Sequence, residues 1–404
     1  MNIGNVTVPF PVQLRDPIRI DPVLLAVSLT LLLGGMIILA SASIATADNA
    51  SGDPFFYISR QAIAAALGGV AGFICLFVPV SFWRQTGPLM LLAAFGLLFV
   101  VLLPGVGYTA NGSTRWIRLG GLNLQASELA RLCLMIYLAG YLVRHNKTLR
   151  EEFAGFVKPM IVLFIACCLL LAEPDLGAAI VLVAVAFAMM FVAGARFRDF
   201  FIFASLAIAG AAALTVTRQY RLERLTGFLD PWADPYDKGF QLTQSLIAIG
   251  RGEWLGVGLG DSVQKLFYLP DAHTDFVFAV YAEEFGLLGS LALITLFGLL
   301  LWRIFRLAMK AAKLERFFEA YLAVGIGTWL GLQVFINLGV NMGILPTKGL
   351  TLPLISYGRS SLIVTLMALA LLIRIDMENR GLGAKPGRRK RASRSGTTRR
   401  KARR

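Results

Sequence analysis

Long uncharged or nearly uncharged stretches alternate with short polar ones along almost the whole chain. They run from Pro22 to Ala45, Gln61 to Val80, Pro88 to Val106, Glu128 to Val143, Pro159 to Ala172, Leu176 to Ala195, Phe200 to Thr217, Phe276 to Trp302, Ala320 to Leu338 and Ser361 to Ile373. A helix needs about 20 apolar residues to cross a bilayer, and several of these segments reach that length. The pattern predicts an all-α polytopic membrane protein of about ten transmembrane helices. An even number of crossings puts both termini on one side. The intervals on the other side are Asp48 to Ser59, Gly107 to Ser127, a tight Glu173 to Asp175 turn, the long Arg218 to Asp275 loop and Gly339 to Ser360.

This gives three parts: an N-terminal segment, residues 1–21; a ten-helix membrane domain, 22–375, carrying a large outer loop at 218–275 between helices 7 and 8; and a tail, 376–404. The long loop is expected to be structured. Gly239 to Gly250 sets Phe240, Leu246 and Ile247 against Gln241, Gln244 and Ser245, as in an amphipathic helix on or in the outer interface. Gly256, Gly258 and Gly260 then suit a tight, close-packed turn.

Composition agrees: 57% of residues are hydrophobic, and only 16% are charged where soluble domains carry about 25%. The net charge of +15 is concentrated at the end, because residues 385–404 hold 11 Lys and Arg and no acid. Such a tail reads as a disordered cytoplasmic extension attracted to anionic membrane lipid rather than to nucleic acid. Arg84; Arg144, Lys147, Arg150 and Lys158; Arg196 and Arg198; and Arg303 to Arg316 fall in alternate loops, marking those loops and both termini as cytoplasmic. The four cysteines lie in apolar segments without metal-ligand spacing, so no disulfide is expected. The first apolar stretch is long enough to remain as an anchor, and no cleavable signal precedes it.

An acid at the edge of a membrane helix is costly unless it works, which draws attention to Lys265 to Phe276, KLFYLPDAHTDF. Asp275 opens the eighth apolar segment directly after Thr274. It can serve as a general base at the lipid–water boundary, or simply favour the positive end of the helix. His273 is too isolated to hold a metal and suits hydrogen bonding to loop or substrate. Glu128 and Arg131 share one face at the start of the fourth span, with Ser127 as the expected N-cap; they are an internal ion pair or a ligand contact. Arg115 and Arg118 lie in an outer loop, where guanidinium suits an anionic head group. Lys348 follows in the last outer loop with the hydroxyls of Ser356, Tyr357, Ser360 and Ser361, either as a second phosphate ligand or as a snorkelling side chain.

The segments STRWI before the fourth span, ASELAR at its start, EPDLG at 173–177, KLFYLPDAHTDFVFA and LPTKGLTLPLISYGRSS occur in the order and spacing of the SEDS family of bacterial cell-wall polymerases. The chain resembles the division branch of that family more than its rod-shape branch. The resemblance implies a SEDS fold and a peptidoglycan glycosyltransferase of the bacterial inner membrane at the division septum. It would polymerise lipid II into β-1,4 glycan and release undecaprenyl pyrophosphate, with Asp275 catalytic. It implies substrate contacts at Arg115, Lys348, Glu128, Arg131, His273, Thr274, Lys265, Ser356, Tyr357 and Ser360. The expected partners are a class B penicillin-binding protein of the FtsI type, other division membrane proteins such as FtsQ, FtsL, FtsB and FtsN, and membrane lipids. A divalent cation, magnesium or manganese, could share the charge of the leaving group, its ligands unassigned; no organic cofactor is expected. Three positions depart from the family pattern: Arg131 for a common lysine, Asp271 for a glutamate, and Arg359 for a glycine. A lipid II flippase and a non-catalytic division scaffold are the rival expectations.

Overall fold

The computed structural model describes residues 20–110, 113–119, 122–216, 227–237, 239–266, 268–347 and 349–383. Lys348, nearly all of the N-terminal segment, residues 217–226 and the tail beyond 383 lie outside them.

All ten expected spans are helices. Eight are long and apolar enough to cross a membrane: α1 (Pro22–Ser51), α2 (Phe56–Phe77), α5 (Ala126–Arg144), α7 (Phe153–Ala172), α9 (Phe197–Val216), α11 (Val277–Lys313), α12 (Phe317–Asn341) and α13 (Arg359–Gly383). Two are shorter, α4 (Gly87–Val101) and α8 (Leu176–Val192). At 1.5 Å per residue these two reach only about 22–26 Å, short of a hydrocarbon core of about 30 Å. Short helices α3 (Val80–Gln85) and α6 (Asn146–Glu151) link the bundle, and α10 (Phe240–Arg251) lies in the long loop before α11.

Helix α1 shows how the sequence sets a boundary. Asp21 caps it by accepting from the Val23 and Leu24 amides, Pro22 occupies the first turn, and Gly52 ends it in the left-handed region at φ 68°. Small residues decide which helices touch. Gly68 and Gly72 of α2 lie against Ile363 and Leu366 of α13, where a β-carbon would press on neighbouring backbone. Helix α9 is the exception, with only 6% of its apolar window covered by the rest of the chain.

Asp21 at the start of α1 is held by Arg303 of α11 (3.2 Å) and Arg380 near the end of α13 (3.6 Å), which brings both ends of the described chain to one end of the bundle. The tail begins later than the sequence suggests. Helix α13 continues to Gly383, because Arg374 with Glu378 and Asp376 with Arg380 form i,i+4 pairs that carry it past the apolar stretch.

The outer side holds what hydropathy does not reveal. Residues 107–125 form a three-stranded antiparallel sheet, β1 (Gly107–Ala110), β2 (Ser113–Leu119) and β3 (Leu122–Gln125), which runs directly into α5. Helix α10 forms where expected but presents a different face. Leu242, Thr243, Ser245 and Ala248 are buried against the bundle, and Ile247, expected on the apolar face, is exposed. The Ser245 hydroxyl donates to the Asn341 carbonyl (2.8 Å), so the helix packs on protein through a mixed face.

Helix α11 is broken at Gly286, whose φ of 65° and ψ of −163° are outside the helical range. The glycine turn fills the break: the Val257 and Gly258 amides donate to the Glu283 and Glu284 carbonyls, and the Leu287 and Leu288 amides donate to the Glu253 and Trp254 carbonyls. A β-carbon at Gly286 would collide with the Gly256 backbone nitrogen. Gly286→Ala is therefore expected to destabilise the protein by about 1–3 kcal/mol or more, from positive φ together with overlap. A lowered thermal midpoint in detergent is the readout; an unchanged midpoint contradicts the expectation.

Candidate active site

The turn that presents Asp275 is made by residues 271–276. Asp271 adopts φ 55°, and its carbonyl accepts from the Thr274 and Phe276 amides and the Thr274 hydroxyl. This chain reversal leaves Asp275 half-buried, two residues before α11 begins. Its carboxylate faces the last outer loop, because a β-carbon built on Gly349 would stand 3.2 Å from Asp275 Oδ2. Gly349 has φ 65°, so glycine suits the position both sterically and conformationally. The loop thus passes Asp275 immediately after Lys348.

His273 is buried in an aromatic group, 4.3 Å from Tyr57 and 5.9 Å from Tyr357 between ring centroids. Its carbonyl accepts from the Tyr357 amide (2.9 Å). Burial pulls the imidazole below its ordinary pKa against the opposing pull of Asp271, which favours the neutral ring. Among the described residues its Nδ1 has no hydrogen-bond partner, so the bond to the loop expected of this side chain is made by its backbone. Burial raises the Tyr357 phenol, with Arg359 and Arg60 pulling the other way, so it stays protonated and able to donate.

Two hydroxyls expected at the substrate are engaged with the loop and the sheet. Ser356 Oγ accepts from the Leu352 amide (2.9 Å). Ser360 Oγ accepts from the Gln125 amide (2.8 Å) and donates to the Asn123 carbonyl (3.0 Å), fastening the head of α13 to β3. Gln61, a buried residue of α2 that no motif singles out, spans the same loop by donating to the Ser356 carbonyl and accepting from the Gly358 amide. Lys265 is likewise committed elsewhere: its ammonium is buried against Glu284 (2.7 Å) and Ser41 (2.8 Å).

A second polar cluster lies where the sheet meets α5 and α8. Arg115, on β2, stands 3.5 Å from Asp175 and donates to Ser113 Oγ (2.9 Å), and its side chain remains 30% exposed. Asp175 also caps α8 by accepting from the Ala178 amide (3.0 Å). Glu128 and Arg131 form the expected pair at 3.2 Å, deeply buried, with the guanidinium 5.5 Å from the Trp329 ring centre. Ser127 is not the N-cap. Helix α5 begins one residue before it, and its hydroxyl sits within reach of Asp175 and Gln125.

Glu173 is fully buried, and neither carboxylate oxygen has a hydrogen-bond partner among the described residues. Burial first and Asp175 second push its pKa up to about 8, against Arg115. The folded protein therefore holds a proton there that the unfolded chain gives up near pH 4.5. The stability this contributes is full below that value and is lost as pH rises to about 8. Glu173→Gln is expected to leave the midpoint unchanged near pH 4 and to raise it relative to the parent above pH 8. Parallel midpoint-versus-pH curves contradict this.

These observations describe a multi-pass membrane protein with an acid site at its outer end. Residues 22–381 match the FtsW/RodA/SpoVE family of cell cycle proteins, and the chain belongs to that family. It is 52% identical over 366 residues to a probable peptidoglycan glycosyltransferase FtsW of Thioalkalivibrio sulfidiphilus, covering 91% of this chain and 92% of the relative. It is 53% identical to the protein of the same name from Nitrosococcus halophilus, covering 89% and 93%. Among solved structures it resembles a chain of a peptidoglycan synthase complex described for its coordination of polymerization and crosslinking (TM-score 0.73, 32% identity, 89% of this chain and 98% of that one). It also resembles the rod shape determining protein RodA of Thermus thermophilus (TM-score 0.66, 29% identity, 89% and 97%).

Proposed function

We propose that Asp275 is the general base of a glycan-polymerising reaction on lipid II. The chain is a peptidoglycan glycosyltransferase, as its named relatives are. The observation that carries the mechanism is the Asp275 carboxylate, half-buried at the head of α11 and facing the loop that bears Lys348. Asp275 takes the proton of the acceptor sugar hydroxyl as that oxygen attacks the anomeric carbon of the donor. The bond from that carbon to the pyrophosphate breaks on the opposite face, so the α-linked donor becomes a β-1,4 link and undecaprenyl pyrophosphate leaves. Lys348 and the exposed part of Arg115 offset the charge developing on the leaving group. Glu128 and Arg131, buried and paired, support the sheet-to-α5 junction that carries Arg115.

Among the described residues no group of three or more His, Cys, Asp or Glu is arranged to hold a metal ion. A divalent cation, magnesium or manganese, would share the negative charge developing on the leaving group. We place the chain in the bacterial inner membrane at the division septum. Its partner there is a class B penicillin-binding protein of the FtsI type, which crosslinks the strands, with FtsQ, FtsL, FtsB and FtsN as neighbours. The test is incubation of labelled lipid II with this chain and its penicillin-binding partner. A ladder of glycan strands is expected. Movement of lipid II across vesicles without any ladder would instead favour transport.

A further inference from the structure

The turn bearing Asp275 is held from a neighbouring helix by residues to which the reaction above gives no part. Asn337 lies on α12 and is 2% exposed. Its Nδ2 donates to the Asp275 carbonyl (2.9 Å) and to the Leu350 carbonyl (2.7 Å). One amide therefore joins the peptide of the acid to the loop residue two positions after Lys348.

Asn341, one helical turn further on, has a different task. Its Nδ2 donates to the same Asp275 carbonyl (3.0 Å) and to the Asn337 carbonyl (2.8 Å), while its Oδ1 accepts from the Ala279 amide (3.1 Å). Helix α11 has no side-chain cap of its own at Phe276, so Asn341 supplies one from α12. Of the two asparagines, only Asn337 spans both the acid's turn and the loop facing it. A buried amide in a membrane helix is unfavourable unless paired, and leucine would serve packing better.

We propose that Asn337 is a positioning residue for glycosyl transfer: its amide fixes the separation between the Asp275 turn and the facing loop at Gly349 and Leu350. Base and cationic loop thereby meet acceptor and leaving group in register. The inference rests on the reading of Asp275 as the base. Displacing a reacting group by about 1 Å can lower a rate by about 10²-fold, so the bridge matters to kcat more than to substrate binding.

The test uses the full chain in complex with its penicillin-binding partner, polymerising labelled lipid II, with rates normalised to folded complex. Asn337→Leu, which keeps volume, and Asn337→Ala are each expected to lower kcat by about 10²-fold with KM within about twofold of the parent. Asn337→Ser keeps one hydroxyl donor and should recover at least about fivefold over Ala, a rescue that packing alone would not produce. Parental kcat in the Leu variant, a Ser variant no better than Ala, or a loss confined to KM overturns the proposal. Should Leu fail to fold, the Ser–Ala comparison decides. Asp275→Asn, run in parallel, separates the two readings. If it keeps full activity the base assignment fails; if it is inactive while Asn337→Leu is fully active, only the positioning role fails.

Discussion

Asp275→Asn is expected to lower glycan polymerisation by about 10²- to 10⁴-fold, the range attributed to a positioned general base. The substitution is nearly isosteric. The hydrogen bonds from Asn337 and Asn341 that fix the turn run to the Asp275 carbonyl, not to its carboxylate. Asp275→Asn keeps both of these bonds, and the loss should fall on kcat. Asp275→Glu is no conservative rescue. Its extra methylene is directed at the loop at Gly349, where an added β-carbon would stand 3.2 Å from Asp275 Oδ2 and where φ is 65°. Strand length and rate on labelled lipid II, at matched complex formation, are the readouts. Polymerisation by Asp275→Asn at the parental rate would end the base assignment.

The membrane domain was legible because lipid imposes one rule on every span: apolar, uninterrupted, helical. That rule says nothing of residues 107–125, where strands of four to seven residues carry neither the length nor the periodicity of a helix. It also cannot tell which face of α10 is covered, since that helix meets protein that is itself polar, at Asn341. The site divides the same way. Asp275, Arg115 and the Glu128–Arg131 pair were visible because charge in or beside an apolar segment demands a reason. Asn337, Asn341 and Gln61 were not, because a neutral amide carries no charge to mark it within a hydrophobic run.

Ser356 and Ser360 lie near Lys348 in sequence, and each hydroxyl also holds backbone across a turn or a strand. What gathers around Asp275 is brought there by three separate devices: the left-handed turn at Asp271, the amides of α12, and Gly349 on the facing loop.

Lys265 makes a buried contact with a larger energetic consequence. It begins the motif that contains Asp275, yet its ammonium lies in a closed contact with Glu284 and Ser41, linking the outer loop to α11 and α1. Removing one partner of a buried pair leaves the other charge unpaired, so Lys265→Met is expected to destabilise the protein by about 3–5 kcal/mol. The double substitution Lys265→Met with Glu284→Leu removes both charges and should return stability to near the parental value or above it. If Lys265 is a latch, the folded fraction of either variant polymerises lipid II with parental kcat and KM, and only the thermal midpoint moves in the single variant. A single variant with a parental midpoint but a strongly raised KM would place Lys265 at the substrate after all. The latch fixes the loop ten residues before Asp275, and Glu284 lies within the α11 segment that Asp275 precedes.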